Sequence, residues 1–136
     1  MTEKDLLEYC VLGERIKRLS ELYNEEGRKM SSIGSPNISG LPRGGSNEDE
    51  ALHAALDIRA SLLEDITEAN ALRRVAYRKV TKVMNMLIDE AHVKVFTALY
   101  LEGKSIRDTA SQLKYSLSSI YRMRTDIWNI AAPIEA

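Results

Sequence analysis

From Glu48 to Glu102 the chain contains neither glycine nor proline, and no other feature limits its fold as strongly. These two residues interrupt helices at the greatest cost, so their absence over such a run predicts long helices. Within the run, Leu52, Leu56, Leu63, Ile66, Ala69, Ala76, Val80, Val83 and Leu87 return to roughly one face. Arg59 and Arg73 interrupt that stripe where aliphatic residues are expected. The spacing predicts a helix over 49–85 with coiled-coil character. At the standard rise, ~35 residues extend ~50 Å.

A first helix is expected over 1–30. Thr2 to Asp5 reads as a capping box. Leu6, Tyr9, Leu12, Ile16, Leu19 and Tyr23 then follow at three-to-four-residue steps, and the stripe ends near Gly27 to Met30. Such a helix is too short to cover the second, so self-association as a homodimer is expected. A helical hairpin packed on the head domain is the competing arrangement. Ser31 to Asn47 is rich in Ser, Gly, Pro and Asn, which makes 31–48 a linker or loop. We read it as mobile, with docking through Ile38, Leu41 and Arg43 as the alternative. A third helix from about Asp89 to Leu101 brings Val93, Phe96, Ala98, Leu99 and Leu101 inward, and Gly103 sits where a left-handed C-cap is wanted. Periodicity leaves open whether it continues the second helix.

Net charge is −1, so the overall balance points to no class of partner. Its distribution says more. Residues 49–70 are acidic, whereas 71–82 carry Arg73, Arg74, Arg78, Lys79 and Lys82 with no acid. Residues 103–128 are basic as well, and local positive faces of this kind can meet phosphate. The plainer reading of 71–82 is a solvated helix face. The single Cys10 forms no internal disulfide, which suits a reducing compartment. With no apolar run of membrane length and no signal-like start, the expected location is the cytoplasm.

Leu101 to Trp128 reads as a helix-turn-helix. Ser105 stands at an N-cap with Asp108 three residues later. Ile106, Thr109, Ala110 and Leu113 share one helical face, Lys114 and Tyr115 make a brief turn, and Ser116 caps a second helix. On that helix Ile120, Ile127 and Ala131 fall on the packed side, with Leu117 and Met123 at its edges. Ser118, Arg122, Thr125 and Asn129 fall opposite. A protruding helix start bearing hydroxyls and guanidinium groups fits the major groove of double-stranded DNA. Ser118, Arg122 and Thr125 are the candidates for base contact, with Arg122 suited to guanine. Lys104, Arg107, Lys114, Ser116, Ser119, Tyr121 and Arg124 are the candidates for the DNA backbone. Arg124 lies near the packed side, its stem buried and its head reaching phosphate. The expected fold class is all-α: a long N-terminal helical hairpin or coiled-coil part, then a helix-turn-helix DNA-binding domain over 86–132.

The run from about Val95 to Asn129 resembles the helix-turn-helix of sigma factor region four, which reads the promoter −35 element. Tyr100 to Ser105, Ile106, Ala110, Leu113, Tyr115-Ser116 and Ile120 to Arg122 are similar to the RinA/ArpU-like phage regulators. That group also has a helical N-terminal part and a Ser/Gly/Pro stretch like Ser39 to Gly45. The resemblance covers about a quarter of the chain in its specific part. It implies a late-gene activator of phage or prophage in a bacterial host, acting on packaging or lysis operons through DNA and host RNA polymerase. Arg107-Asp108-Thr109 departs from the family pattern, so the family's polymerase contacts do not transfer to it.

Two patterns imitate chemistry. Ile88 to His92 contains the DEAH signature of helicases, which needs an upstream phosphate loop. The only candidate, Gly103-Lys104-Ser105, comes after it and has Ala98 where a glycine is required. His53, His92 and Cys10 are too scattered for a zinc site, and His92 is expected to pair with Asp89 one turn away. No enzyme, cofactor or metal is expected. Two other functions compete with transcription regulation. One is the DNA-recognition subunit of a phage packaging terminase, which would form a large ring. The other is a helix-turn-helix that binds a host protein, either polymerase or an antiviral nuclease.

Overall fold

The computed structural model describes residues 1–33 and 45–135, and among these every regular element is helical. Helix α1 spans Glu3–Ile33 and α2 spans Gly45–Met86. They are followed by α3 (Glu90–Phe96), a wider π-type turn (Thr97–Leu101), α4 (Ile106–Leu113) and α5 (Leu117–Ala131). The chain is all-α. It divides into two compact units, one of Met1–Glu14 with Ala71–Ala136 and one of Arg15–Asn70.

The α2 seam runs through Ala55, Arg59, Leu62, Ile66, Ala69, Arg73, Ala76, Val80, Val83 and Leu87, in alternating steps of four and three. Each of these is buried or half-buried, which is the heptad pattern of a coiled coil. Leu56 and Leu63, which the sequence reading put on the stripe, lie outside the seam and are 44% and 50% exposed. The two arginines do not interrupt the seam; they belong to it. On α1 the matching positions are Leu6, Tyr9, Gly13, Ile16, Ser20, Tyr23, Gly27 and Met30, again in steps of three and four.

In the first unit, α1 and α2 run antiparallel. Asp5 pairs with Lys79 at 3.8 Å, the rings of Tyr9 and Tyr77 are 5.5 Å apart, and Arg73 lies over Tyr9. Thr2 and Asp5 form the expected capping box, with Thr2 N–H donating to the carboxylate at 2.9 Å and Asp5 N–H donating to Thr2 Oγ1 at 3.3 Å. Those hydrogen bonds, together with the Lys79 charge, hold the Asp5 carboxyl below the usual range. In the second unit, Arg59 lies over Tyr23 at 4.1 Å and against Gly27. α1 runs three residues past its expected end at residue 30, to Ile33, and Ser31 Oγ donates to Gly27 O. α2 begins at Gly45 rather than at Asp49. The linker reading of 31–48 is thus helical at both ends, and its remainder, with Ile38, Leu41 and Arg43, lies outside the described residues.

The core of the first unit joins Leu6 of α1 and Val80, Val83 and Leu87 from the end of α2 and just beyond it. To these it adds Val95, Phe96, Leu99, Tyr100, Ala110, Ile120, Ile127 and Ala131. This unit is larger than the expected 86–132 segment, because the ends of both long helices supply its floor. α2 and α3 are separate helices. Asp89, with extended backbone, accepts from Ala91 N–H at 2.9 Å and caps α3. That cap also explains the acidic Asp89-Glu90 pair in the helicase-like string: both side chains serve the start of a helix. The helical path reaches Leu101 as expected, but beyond Phe96 it widens from α3 into the π-type turn, where Glu102 N–H donates to Thr97 O. Gly103 is left-handed (φ 68°), as expected of a C-cap residue, and Lys104 N–H reaches Ala98 O at 2.9 Å. Cys10 donates its thiol to Tyr100 O at 3.0 Å. Burial pushes that thiol up, keeping it protonated and in the donor role.

Candidate nucleic-acid interface

Two capped helices build the candidate surface. Ser105, with extended backbone, accepts from Asp108 N–H at 3.1 Å and opens α4. Thr109 is fully buried and donates its hydroxyl to Ser105 O at 2.8 Å. Ala110 beside it meets the core. At the end of α4, Lys114 adopts φ 61°, ψ 39°, and Tyr115 N–H returns to Ala110 O at 3.0 Å. A non-glycine residue in this region is strained. The reversal frees Ser116 to cap α5, accepting from Ser119 N–H at 3.2 Å.

The face of α5 divides as the helical projection required. Ile120 and Ile127 are fully buried and Ala131 nearly so, while Ser118, Arg122, Thr125 and Asn129 are exposed. The three base-contact candidates therefore share one open face. Arg107, Lys114, Ser116 and Tyr121 are exposed as well. The other backbone candidates are engaged within the protein. Lys104 pairs with Glu102 at 2.8 Å and also with Gln112. Ser119 shares a hydroxyl contact with Ser116 at 2.8 Å, so the exposed Ser116 hydroxyl, which also caps α5, is engaged as well.

Arg124 differs most from expectation. Its guanidinium lies 4.5 Å from the Trp128 ring centroid and 5.1 Å from that of Tyr121, with Nε buried and without a hydrogen-bond partner. It lines a small groove with Glu3, Leu7, Tyr100 and Lys104. The head stacks on aromatic rings, which restricts its reach toward a backbone phosphate. Trp128 Nε1 donates to Tyr100 Oη at 2.6 Å, and burial pushes the Tyr100 phenol up. Sequence reasoning missed this stack, although Tyr121, Arg124 and Trp128 lie three and four residues apart, the spacing of helix neighbours.

Two further residues differ from the reading. Leu117, assigned to the packed edge, is 43% exposed, whereas Met123 does pack against the core. His92 faces Asp126 of α5 at 3.5 Å; Asp89, its expected partner, is occupied as a cap. No group of His, Cys, Asp and Glu among the described residues is arranged to hold a metal ion, and none of their helices is long and apolar enough to cross a membrane. No family model, curated protein or solved structure matches the chain.

Proposed function

We propose that this chain is a sequence-specific DNA-binding transcription regulator of the phage or prophage late-gene activator type. In this reading α4 and α5 form a helix-turn-helix, and the first turns of α5 enter the major groove. One observation carries it. Ile120 and Ile127 anchor α5 with no exposure, and Ser118, Arg122 and Thr125 stand open on the face they leave outward. Arg122 presents a fork to guanine, a pairing that discriminates by about 1–3 kcal/mol. Lys114 and Arg107 supply phosphate contacts around it. The protein acts without catalysis in the cytoplasm of a bacterial host, as a homodimer, with host RNA polymerase as a second partner.

The experiment is an electrophoretic shift on phage or prophage fragments recovered with the protein from host cells. Arg122→Ala is expected to flatten base preference. Lys114→Ala is expected to weaken all sequences alike and to lower the slope of affinity against salt. Unchanged binding in both variants rejects the assignment of α5. A chain that never binds DNA in a salt-dependent way, yet holds a bacterial protein, rejects the DNA reading altogether.

A further inference from the structure

Folding leaves two large apolar side chains uncovered at the start of α5. Leu117 is its first residue and is 43% exposed; Tyr121, one turn later, is 49% exposed. Residues four apart on a helix are neighbours, so the two make one patch. The tyrosine ring is held in place. Arg124 stacks between it and Trp128, and Trp128 is tied to the buried Tyr100 hydroxyl at 2.6 Å. An anchored apolar patch flanked by exposed Ser118, Arg122 and Lys114 suits a polyanion that carries isolated apolar groups, more than it suits an apolar protein groove. In the major groove of duplex DNA that apolar group is the 5-methyl of thymine.

We propose that Leu117, backed by Tyr121, reads the 5-methyl group of a thymine adjacent to the guanine bound by Arg122. This rests on the DNA-binding reading above and adds to it a preferred base step. It also separates DNA from RNA, whose uracil has no methyl and whose major groove is too deep and narrow to admit the side chain.

The full chain is offered a randomised pool of duplex DNA, and each thymine of the enriched site is replaced in turn by deoxyuridine. That base differs only in lacking the methyl, so the protein's own folding is untouched. One replacement, beside the arginine-read guanine, is expected to weaken binding about fourfold, the effect of one apolar carbon returned to water. Leu117→Ala is expected to bind the thymine and deoxyuridine duplexes equally. An enriched site at which no replacement weakens binding, or a Leu117→Ala chain that still separates the two duplexes, overturns the methyl readout and leaves the DNA-binding reading standing. A pool from which no sequence is enriched overturns both.

Discussion

The guanidinium of Arg73 lies over the ring of Tyr9, 4.4 Å from its centroid, and fills the space that a side chain at Gly13 would occupy. The same trio recurs two heptads along each helix, where Arg59 lies over Tyr23 and against Gly27. In both places the arginine Nε is buried without a hydrogen-bond partner. Aromatic faces and bare glycine backbone are therefore what hold these two cations at the seam. A cation–π contact of this kind contributes about 0.5–2 kcal/mol, the upper end applying where water is excluded.

This relationship makes Gly13 and Arg73 energetically coupled. A Cβ at Gly13 would stand 3.1 Å from Arg73 Nη2, closer than ordinary contact, so the guanidinium must shift by a few tenths of an ångström against the ring. Gly13→Ala alone should therefore change stability little, because the ~1 kcal/mol gained in helix propensity is spent moving the guanidinium. In an Arg73→Ala background the same substitution should stabilise by ~1 kcal/mol. Urea unfolding of the four chains gives the cycle, and additive effects would dismiss the clasp.

Under the proposed DNA-binding function, Lys114 separates folding from binding. Its left-handed backbone costs an L-residue roughly 1 kcal/mol that glycine does not pay. Lys114→Gly should raise the melting temperature while weakening DNA affinity at every sequence. A melting temperature that falls would mean the lysine side chain stabilises the turn in some other way.

The Trp128–Tyr100 hydrogen bond is internal to the first unit. Trp128→Phe strands the buried phenol hydroxyl and should cost about 1–3 kcal/mol. Adding Tyr100→Phe removes the stranded group, so the double variant should be no less stable than Trp128→Phe alone. A further large loss in the double variant would count against this account. Circular dichroism follows all three, since tryptophan fluorescence is lost with the only Trp.

Alkaline pH should loosen the same unit. Burial raises both the Tyr100 phenol and the Cys10 thiol above their ordinary values of 10.0 and 9.0. As pH climbs past those ordinary values, the unfolded chain releases protons that the folded chain still holds, so stability declines. It is complete below about pH 9 and falls above it. Tyr100→Phe should lose less melting temperature than the parent chain between about pH 9 and pH 11. Parallel curves would remove Tyr100 from the explanation.

Local chemistry made much of the fold legible. Ser105 and Ser116 could be recognised as caps because short hydroxyl side chains satisfy the free N–H groups of a helix start, and both do so here. Gly103 could be recognised because a helix end wants a residue at positive φ. The open face of α5 followed from one hundred degrees per residue and nothing else. Other features depended on partners distant in the chain. Leu56 and Leu63 looked like seam residues by hydrophobicity, yet the seam takes Ala55, Arg59 and Leu62, because Tyr23 and Gly27 on the other helix accommodate a cation at Arg59. His92 was paired with Asp89 by one-turn spacing alone, and only the packing of α3 on α5 brought Asp126 to it.

By itself, then, the sequence determined the capped starts of α4 and α5, the stop at Gly103 and which face of α5 must turn inward, since these depend on backbone groups and periodicity within a few residues. Tertiary structure decided what stands opposite each face. It made Arg59 and Arg73 seam residues, drew Arg124 into an aromatic stack and left Leu117 in the open. A side chain's surroundings are set by residues that meet it only after the chain has folded back. No local period encodes that meeting.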